Sequence, residues 1–149
     1  MSAEQSISIE NMLPNTVWEN LSSKENAALV DCRTQFEWDT IGVPDLTGID
    51  GETHLIQWRK QPDMSVNSAF LEELEGAFNG DYPDQIYFIC RSGARSLEAA
   101  AYVQNHLSSK KLNCVCVNVA EGFEGDPNGS GERGVVNGWK SRNLPWKMG

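Results

Sequence analysis

The chain has 149 residues, enough for one domain with a real core, since a fold of this size buries roughly 68–70% of its unfolded surface. Apolar residues make up 40% and charged residues 22%, which excludes a disordered chain, and no stretch approaches the roughly 20 apolar residues of a membrane helix. With 12 basic against 21 acidic residues the formal charge is -9, which excludes a broad basic face for nucleic acid or anionic membrane but leaves room for a small cationic pocket.

The first five residues, Met1 to Gln5, are acidic and no apolar run follows, so no secretory leader is expected and the expected location is cytoplasmic. Ala27 to Cys32 is a compact apolar run with the character of a buried strand. Thr34 and Glu37 have capping-box spacing and start a short helix carrying Phe36 and Trp38. His54 to Trp58 is a second predicted strand. Ser68 is placed to cap a helix in which Phe70, Leu71, Leu74, Ala77 and Phe78 repeat at helical spacing, with Gly80 at its C-cap and a turn over 81–84.

Ile86 to Cys90 is the clearest strand, aromatic and β-branched. A helix over 96–107 follows, with Leu97, Ala100, Val103 and Leu107 on one face and Lys110 and Lys111 near its negative end. Val115 to Val119 is another buried strand. Residues 120–138 are rich in glycine and show no periodicity, the composition of a functional flap or of a mobile segment. Trp139 to Trp146 is predicted to return as a short helix ended by Pro145. Strands alternating with helices predict an α/β fold, a central parallel sheet with helices on both faces. Ligands of such sheets sit beyond the carboxyl ends of the strands, where Cys32 and Cys90 each close a run.

The four cysteines, Cys32, Cys90, Cys114 and Cys116, do not have the pattern of a small disulfide scaffold and are expected as free thiols in a reducing compartment. Cys114 and Cys116 lie in an apolar run, while the two histidines, His54 and His106, belong to different segments. No metal site is expected, and the cysteine pair is assigned to the core.

Chemistry concentrates at Cys90, Arg91, Ser92, Gly93, Ala94 and Arg95, between a buried strand and an amphipathic helix. A thiol at a helix N-terminus meets unpaired backbone N–H groups and the positive end of the dipole. Two nearby arginines add to that field, and together these conditions favour a thiolate nucleophile. Gly93 lets successive N–H groups curl inward as an anion nest, and Arg91 and Arg95 are placed to hold the oxygens of a small anion. A phosphatase cradle places its arginine six positions after the cysteine. That position is Ser96 here, so the loop is too short for a good phosphate cradle.

This loop resembles the six-residue Cys-Arg-x-Gly-x-Arg/Thr active loop of the rhodanese-like sulfurtransferases, whose single-domain members act on thiosulfate. Leu29-Val30-Asp31-Cys32-Arg33 with Glu37 is similar to the family's Leu-Val-Asp-Val-Arg-x-x-x-Glu signature. Trp139 to Pro145 is similar to its Trp-x-x-x-Gly-Leu-Pro element, with Asn143 in place of the glycine. The resemblance spans about residues 7–147, and the chain is treated as one domain over 1–149 with the glycine-rich segment inside it. Two departures stand out: only Ile41 to Pro44 represents the usual Gly-His-Ile-Pro-Gly-Ala segment, and the stretch after the last strand is expanded. Both fall where a substrate rim or partner contact is expected.

The resemblance implies sulfane-sulfur transfer through a Cys90 persulfide, without cofactor, from a small anionic donor to cyanide, a thiol or a protein acceptor. It implies donor binding by the loop from Arg91 to Ser96, with the two arginines favouring thiosulfate over mercaptopyruvate. Asp31 and Arg33 are expected to support the loop as an ion pair, and Trp58 and Trp139 are candidates for the rim. Arg59 joins them there. Cys32 is assigned to packing, with a resolving thiol as the alternative role. Two other functions remain open: a rhodanese module that carries persulfide for, or binds, a partner protein, and an oxyanion enzyme such as an arsenate reductase or phosphatase.

Overall fold

Alternation of side chains along three buried runs organises the molecule. In the computed structural model, which describes residues 8–23 and 26–149, these runs are the strands β2 (Ala27–Asp31), β7 (Gln85–Ile89) and β8 (Val115–Val119). Before β2 come β1 (Glu10–Met12) and α1 (Pro14–Ser22). Between β2 and β7 lie α2 (Gln35–Ile41), β3 (Val43–Pro44), β4 (Thr53–Leu55), β5 (Arg59–Lys60), β6 (Ser65–Val66) and α3 (Phe70–Phe78). Helix α4 (Ala94–Ser109) joins β7 to β8, and β9 (Trp146–Lys147) closes the chain. Met1 to Gln5, on which the expectation about a leader rests, lie outside the described residues. Among the described residues, no helix is long and apolar enough to cross a membrane.

The central sheet has the order β1-β8-β7-β2-β4, and every neighbouring pair is parallel. Because strand side chains alternate, one face collects Val30, Ile86, Phe88 and Cys116 under Phe70, Leu74, Ala100 and Val103 of α3 and α4. The other face collects Leu29, Tyr87, Ile89 and Val117 against Val17 and Leu21 of α1. The chain leaves β2 toward β4 on one side and leaves β7 toward β8 on the other. The carboxyl ends of β2 and β7 therefore flank the point where the winding reverses, the position at which an open α/β sheet forms a crevice.

Several local expectations are corrected. Thr34 caps α2 as its spacing predicts, with Glu37 reaching back to complete the box. Ser68 does not cap α3: Ala69 occupies the cap position, and the Asn67 side chain accepts the Ala69 amide instead. Asn79, not Gly80, takes the left-handed C-cap of α3. The strand expected over 54–58 is limited to β4, because Ile56 and Trp58 turn into the core beneath α3 and α4. Trp139 to Pro145 forms turns rather than a helix, and Trp146 then pairs antiparallel with Pro44. Leu97 is 40% exposed, and Ala99 takes its place on the buried face of α4.

Leu97 and Leu107 thus share one helix but not one environment. Leu107→Ala is expected to cost about 2–5 kcal/mol. Leu97→Ala stays within about 0.5 kcal/mol. Urea unfolding midpoints of the two variants test this placement.

Candidate active site

Strand β7 delivers Cys90 at its carboxyl end, and α4 begins at Ala94, so three residues turn the chain from strand to helix. Gly93 makes that turn at φ 112°, a left-handed conformation that residues with a Cβ adopt at a penalty. The turn aims the amides of Gly93 and Ser96 at the Cys90 sulfur, each at 3.2 Å. The Ser96 hydroxyl lies 3.1 Å from the same Sγ. Ser92 is half-buried at the turn, and Ala94 is exposed.

Ser96 also reaches Asn118 Oδ1 at 2.5 Å. Asn118 is held by its own amide, which donates to Asn11 Oδ1 at 2.8 Å and to the Gly93 carbonyl at 3.2 Å. The single hydroxyl proton of Ser96 serves the sulfur or the amide oxygen, one at a time. Asn118 was not among the candidates read from the sequence, although a buried polar residue in the apolar run from Val115 to Val119 is the signal that marks it.

Arg95 is expected to receive the donor's oxygens, but its fork is occupied by the Glu37 carboxylate, with bonds of 2.8 and 2.9 Å. Burial disfavours ionised Glu37. The hydrogen bonds and charge of Arg95, aided by Thr34, outweigh burial and hold the Glu37 carboxyl below its ordinary value. Arg91 is half-exposed and lies 3.8 Å from the Glu124 carboxylate. Both ion pairs line one cavity of about 320 Å³, which Phe36, Ile41, Gln61 and Met64 complete. Cys90 itself is only 1% exposed, beside these flanking arginines.

The glycine-rich segment backs this loop at close range. A Cβ on Gly122 would stand 2.6 Å from the Cys90 and Arg91 backbones, so only glycine permits the approach. The Phe123 amide donates to the Cys90 carbonyl at 2.7 Å, and the Glu124 amide to the Arg91 carbonyl at 3.0 Å. Behind them, Asp31 and Arg33 form a fully buried ion pair at 2.6 Å. The Arg33 guanidinium also donates to the Gly42 carbonyl and lies 4.3 Å above the Phe123 ring. Asp31 and Arg33 are thus joined, through Phe123, to the segment that backs the loop.

The two tryptophans are corrected to core residues. Trp58 packs on Phe70, and its indole donates to Glu98, which also binds Arg59. Arg59 in turn holds the Met64 carbonyl, so this cluster anchors the hairpin carrying Gln61 and Met64. Trp139 is fully buried on the opposite face, edge-on to Trp18, with its amide on the Gly122 carbonyl. Cys32 donates to the Ile89 carbonyl at 3.4 Å, and burial, with Cys90 and Asp31 nearby, pushes its thiol up, consistent with packing. Cys114 and Cys116 are buried in the core. Among the described residues, no cluster of three or more histidine, cysteine or acidic side chains is placed to hold a metal ion.

The Rhodanese-like domain family model matches residues 13–125. The chain belongs to that family. It is 32% identical over 142 residues to an uncharacterised protein of Rickettsia conorii, covering 95% of this chain and all of that one. An uncharacterised protein of Rickettsia prowazekii is 33% identical over 140 residues, covering 94% and 98%. The crystal structure of Rv0390 from M. tuberculosis superposes with a TM-score of 0.81 at 36% identity, covering 95% of this chain and all of that one. A rhodanese-like domain protein from Staphylococcus aureus shares the fold, with a TM-score of 0.53 at 19% identity over 76% of this chain and 87% of that one.

Asp31→Ala leaves the Arg33 cation buried without its partner and is expected to cost about 3–5 kcal/mol in urea unfolding. Replacing both residues by apolar ones of similar volume should recover much of that loss. Glu37 gives a pH signature. Its folded-state value lies below the ordinary 4.5, so its ionised form adds stability above that pH, and the contribution is lost as pH falls through the lower folded value. Glu37→Gln is therefore expected to destabilise by about 1–3 kcal/mol at pH 7. The gap between the two proteins should narrow as pH falls through that lowered value, as followed by urea midpoints from pH 7 into acid.

Proposed function

We propose that the protein is a sulfurtransferase moving a sulfane sulfur, from thiosulfate or a similar donor, to a thiophilic acceptor through a persulfide on Cys90. The observation that carries this reading is the convergence of three donors, the Gly93 amide, the Ser96 amide and the Ser96 hydroxyl, on the one sulfur at the mouth of the sheet. Donors fixed in place before reaction stabilise charge on sulfur without reorganising.

In the first step Cys90 thiolate attacks the outer sulfur of the donor. The new S–S bond forms as the donor's own S–S bond breaks, and sulfite leaves with the electron pair. In the second step the acceptor takes the outer sulfur and returns Cys90 to thiolate. Covalent catalysis thus divides one transfer into two. The outer sulfur of the persulfide stands about 2.05 Å beyond Sγ, which extends the reactive atom past a residue that is itself buried. The Ser96 hydroxyl donates to the sulfur when it carries charge, and to Asn118 Oδ1 when it does not.

Incubation with thiosulfate should add one sulfur atom to the protein by mass, and cyanide should release it as thiocyanate. Cys90→Ser is expected to abolish both. Ser96→Ala removes one hydrogen bond to a charged sulfur and is expected to lower kcat/KM about ten- to a hundredfold. Phosphoester hydrolysis dependent on Cys90, without sulfur uptake, would refute the assignment. Good sulfur uptake with slow release to cyanide and small thiols would point to a protein acceptor.

A further inference from the structure

An inorganic dianion should be drawn to two free arginines, yet each arginine at this cavity faces a carboxylate. Arg95 is held by Glu37 at 2.8 Å and Arg91 by Glu124 at 3.8 Å, so the two cations and two anions on the cavity wall cancel. The remaining wall is neutral and largely apolar, with Phe36 58% exposed beside Ile41 and Met64. We propose that Glu124 sets donor choice here, selecting a sulfane-sulfur donor with a single negative charge and an apolar body over the thiosulfate dianion. This deepens the sulfurtransferase reading and rests on it.

The two pairs are not equivalent. Arg95 and Glu37 are both shielded, with side chains 18% and 15% exposed, and their bidentate contact takes up the end of the guanidinium. Arg91 is 48% exposed and its contact is long, so it is the cation that a donor can engage. Glu124, only 13% exposed, stays beside it. Its amide binds the Arg91 carbonyl and its carbonyl accepts the Gly134 amide at 2.8 Å, so the glycine-rich segment fixes this carboxylate against the loop.

A donor that reaches Arg91 therefore also meets Glu124, whose repulsion offsets the attraction of Arg91, so the second charge of a dianion gains nothing at this wall. Thiosulfate has no apolar surface to lay against Phe36, Ile41 and Met64. An aryl or alkyl thiosulfonate does. With such a donor, Cys90 thiolate attacks the outer sulfur, the new S–S bond forms, and the sulfinate departs with the electron pair of the broken bond. One negative charge enters with the donor and one leaves with the sulfinate.

The test compares benzenethiosulfonate and thiosulfate as donors to the full chain, with cyanide as acceptor and sulfur uptake on Cys90 followed by mass. Wild type is expected to show the higher kcat/KM with benzenethiosulfonate. Glu124→Gln should raise kcat/KM for thiosulfate about five- to tenfold and change it less for benzenethiosulfonate. Phe36→Ala should lower kcat/KM for benzenethiosulfonate alone. A wild-type preference for thiosulfate, which needs no variant to measure, would overturn the inference. So would a Glu124→Gln effect equal for both donors. If Cys90 takes sulfur from neither, the sulfurtransferase reading fails and the inference with it. If both load Cys90 and only the preference is wrong, the inference alone falls.

Discussion

The loop around Cys90 depends on an ion pair that never meets water. Asp31 and Arg33 are fully buried, and removing two charges from solvent carries a penalty of several kcal/mol per ion. What offsets it is the density of partners. Arg33 binds both Asp31 oxygens, donates to the Gly42 carbonyl and stacks on Phe123, and Phe123 donates to the Cys90 carbonyl. The pair thus ties together the carboxyl end of β2, the end of α2 and the segment behind the reactive loop. Hydrophobic side chains of the same volume would fill that space but have no donors to satisfy the Gly42 carbonyl.

Charge is arranged in the same way over the rest of this edge. Acidic residues outnumber basic ones by 21 to 12, and the arginines around the cavity are met by carboxylates in turn. Arg142 with Glu121 continues the series along the glycine-rich segment, where Glu121 also accepts the Gly138 amide. The donors that reach the Cys90 sulfur include the oriented N–H groups of Gly93 and Ser96 at the start of α4, which neutralising carboxylates do not remove. Their field is short-ranged and suits a reacting sulfur held at hydrogen-bond distance.

Legibility in the sequence followed the range of the interaction involved. The Thr34 capping box is settled within four residues, and the alternation that buries β7 and β8 is settled within five, so both could be read directly. Ser68 could not, because whether it or the Asn67 side chain meets the start of α3 depends on how Asn67 is held by the Gln57 carbonyl ten residues earlier. The run from Trp139 to Trp146 does not form the expected helix, because Trp139 is drawn into the core, its indole donates to the Pro145 carbonyl, and Trp146 is captured by β3. Trp58 and Trp139 looked like rim residues only because large aromatics serve equally well in a core.

The order of the residues alone determined the parallel α/β architecture, the position of Cys90 at a strand end and the short loop that follows it. Local periodicity and a glycine at one turn contain that information. Tertiary structure alone decided which charges remain available to a donor. Glu37 and Arg95 are 58 positions apart, and Glu124 is placed beside Arg91 by backbone hydrogen bonds between segments more than thirty residues apart. No spacing rule relates such residues, because Coulomb energy depends on distance through space and on burial, both of which exist only once the sheet has formed.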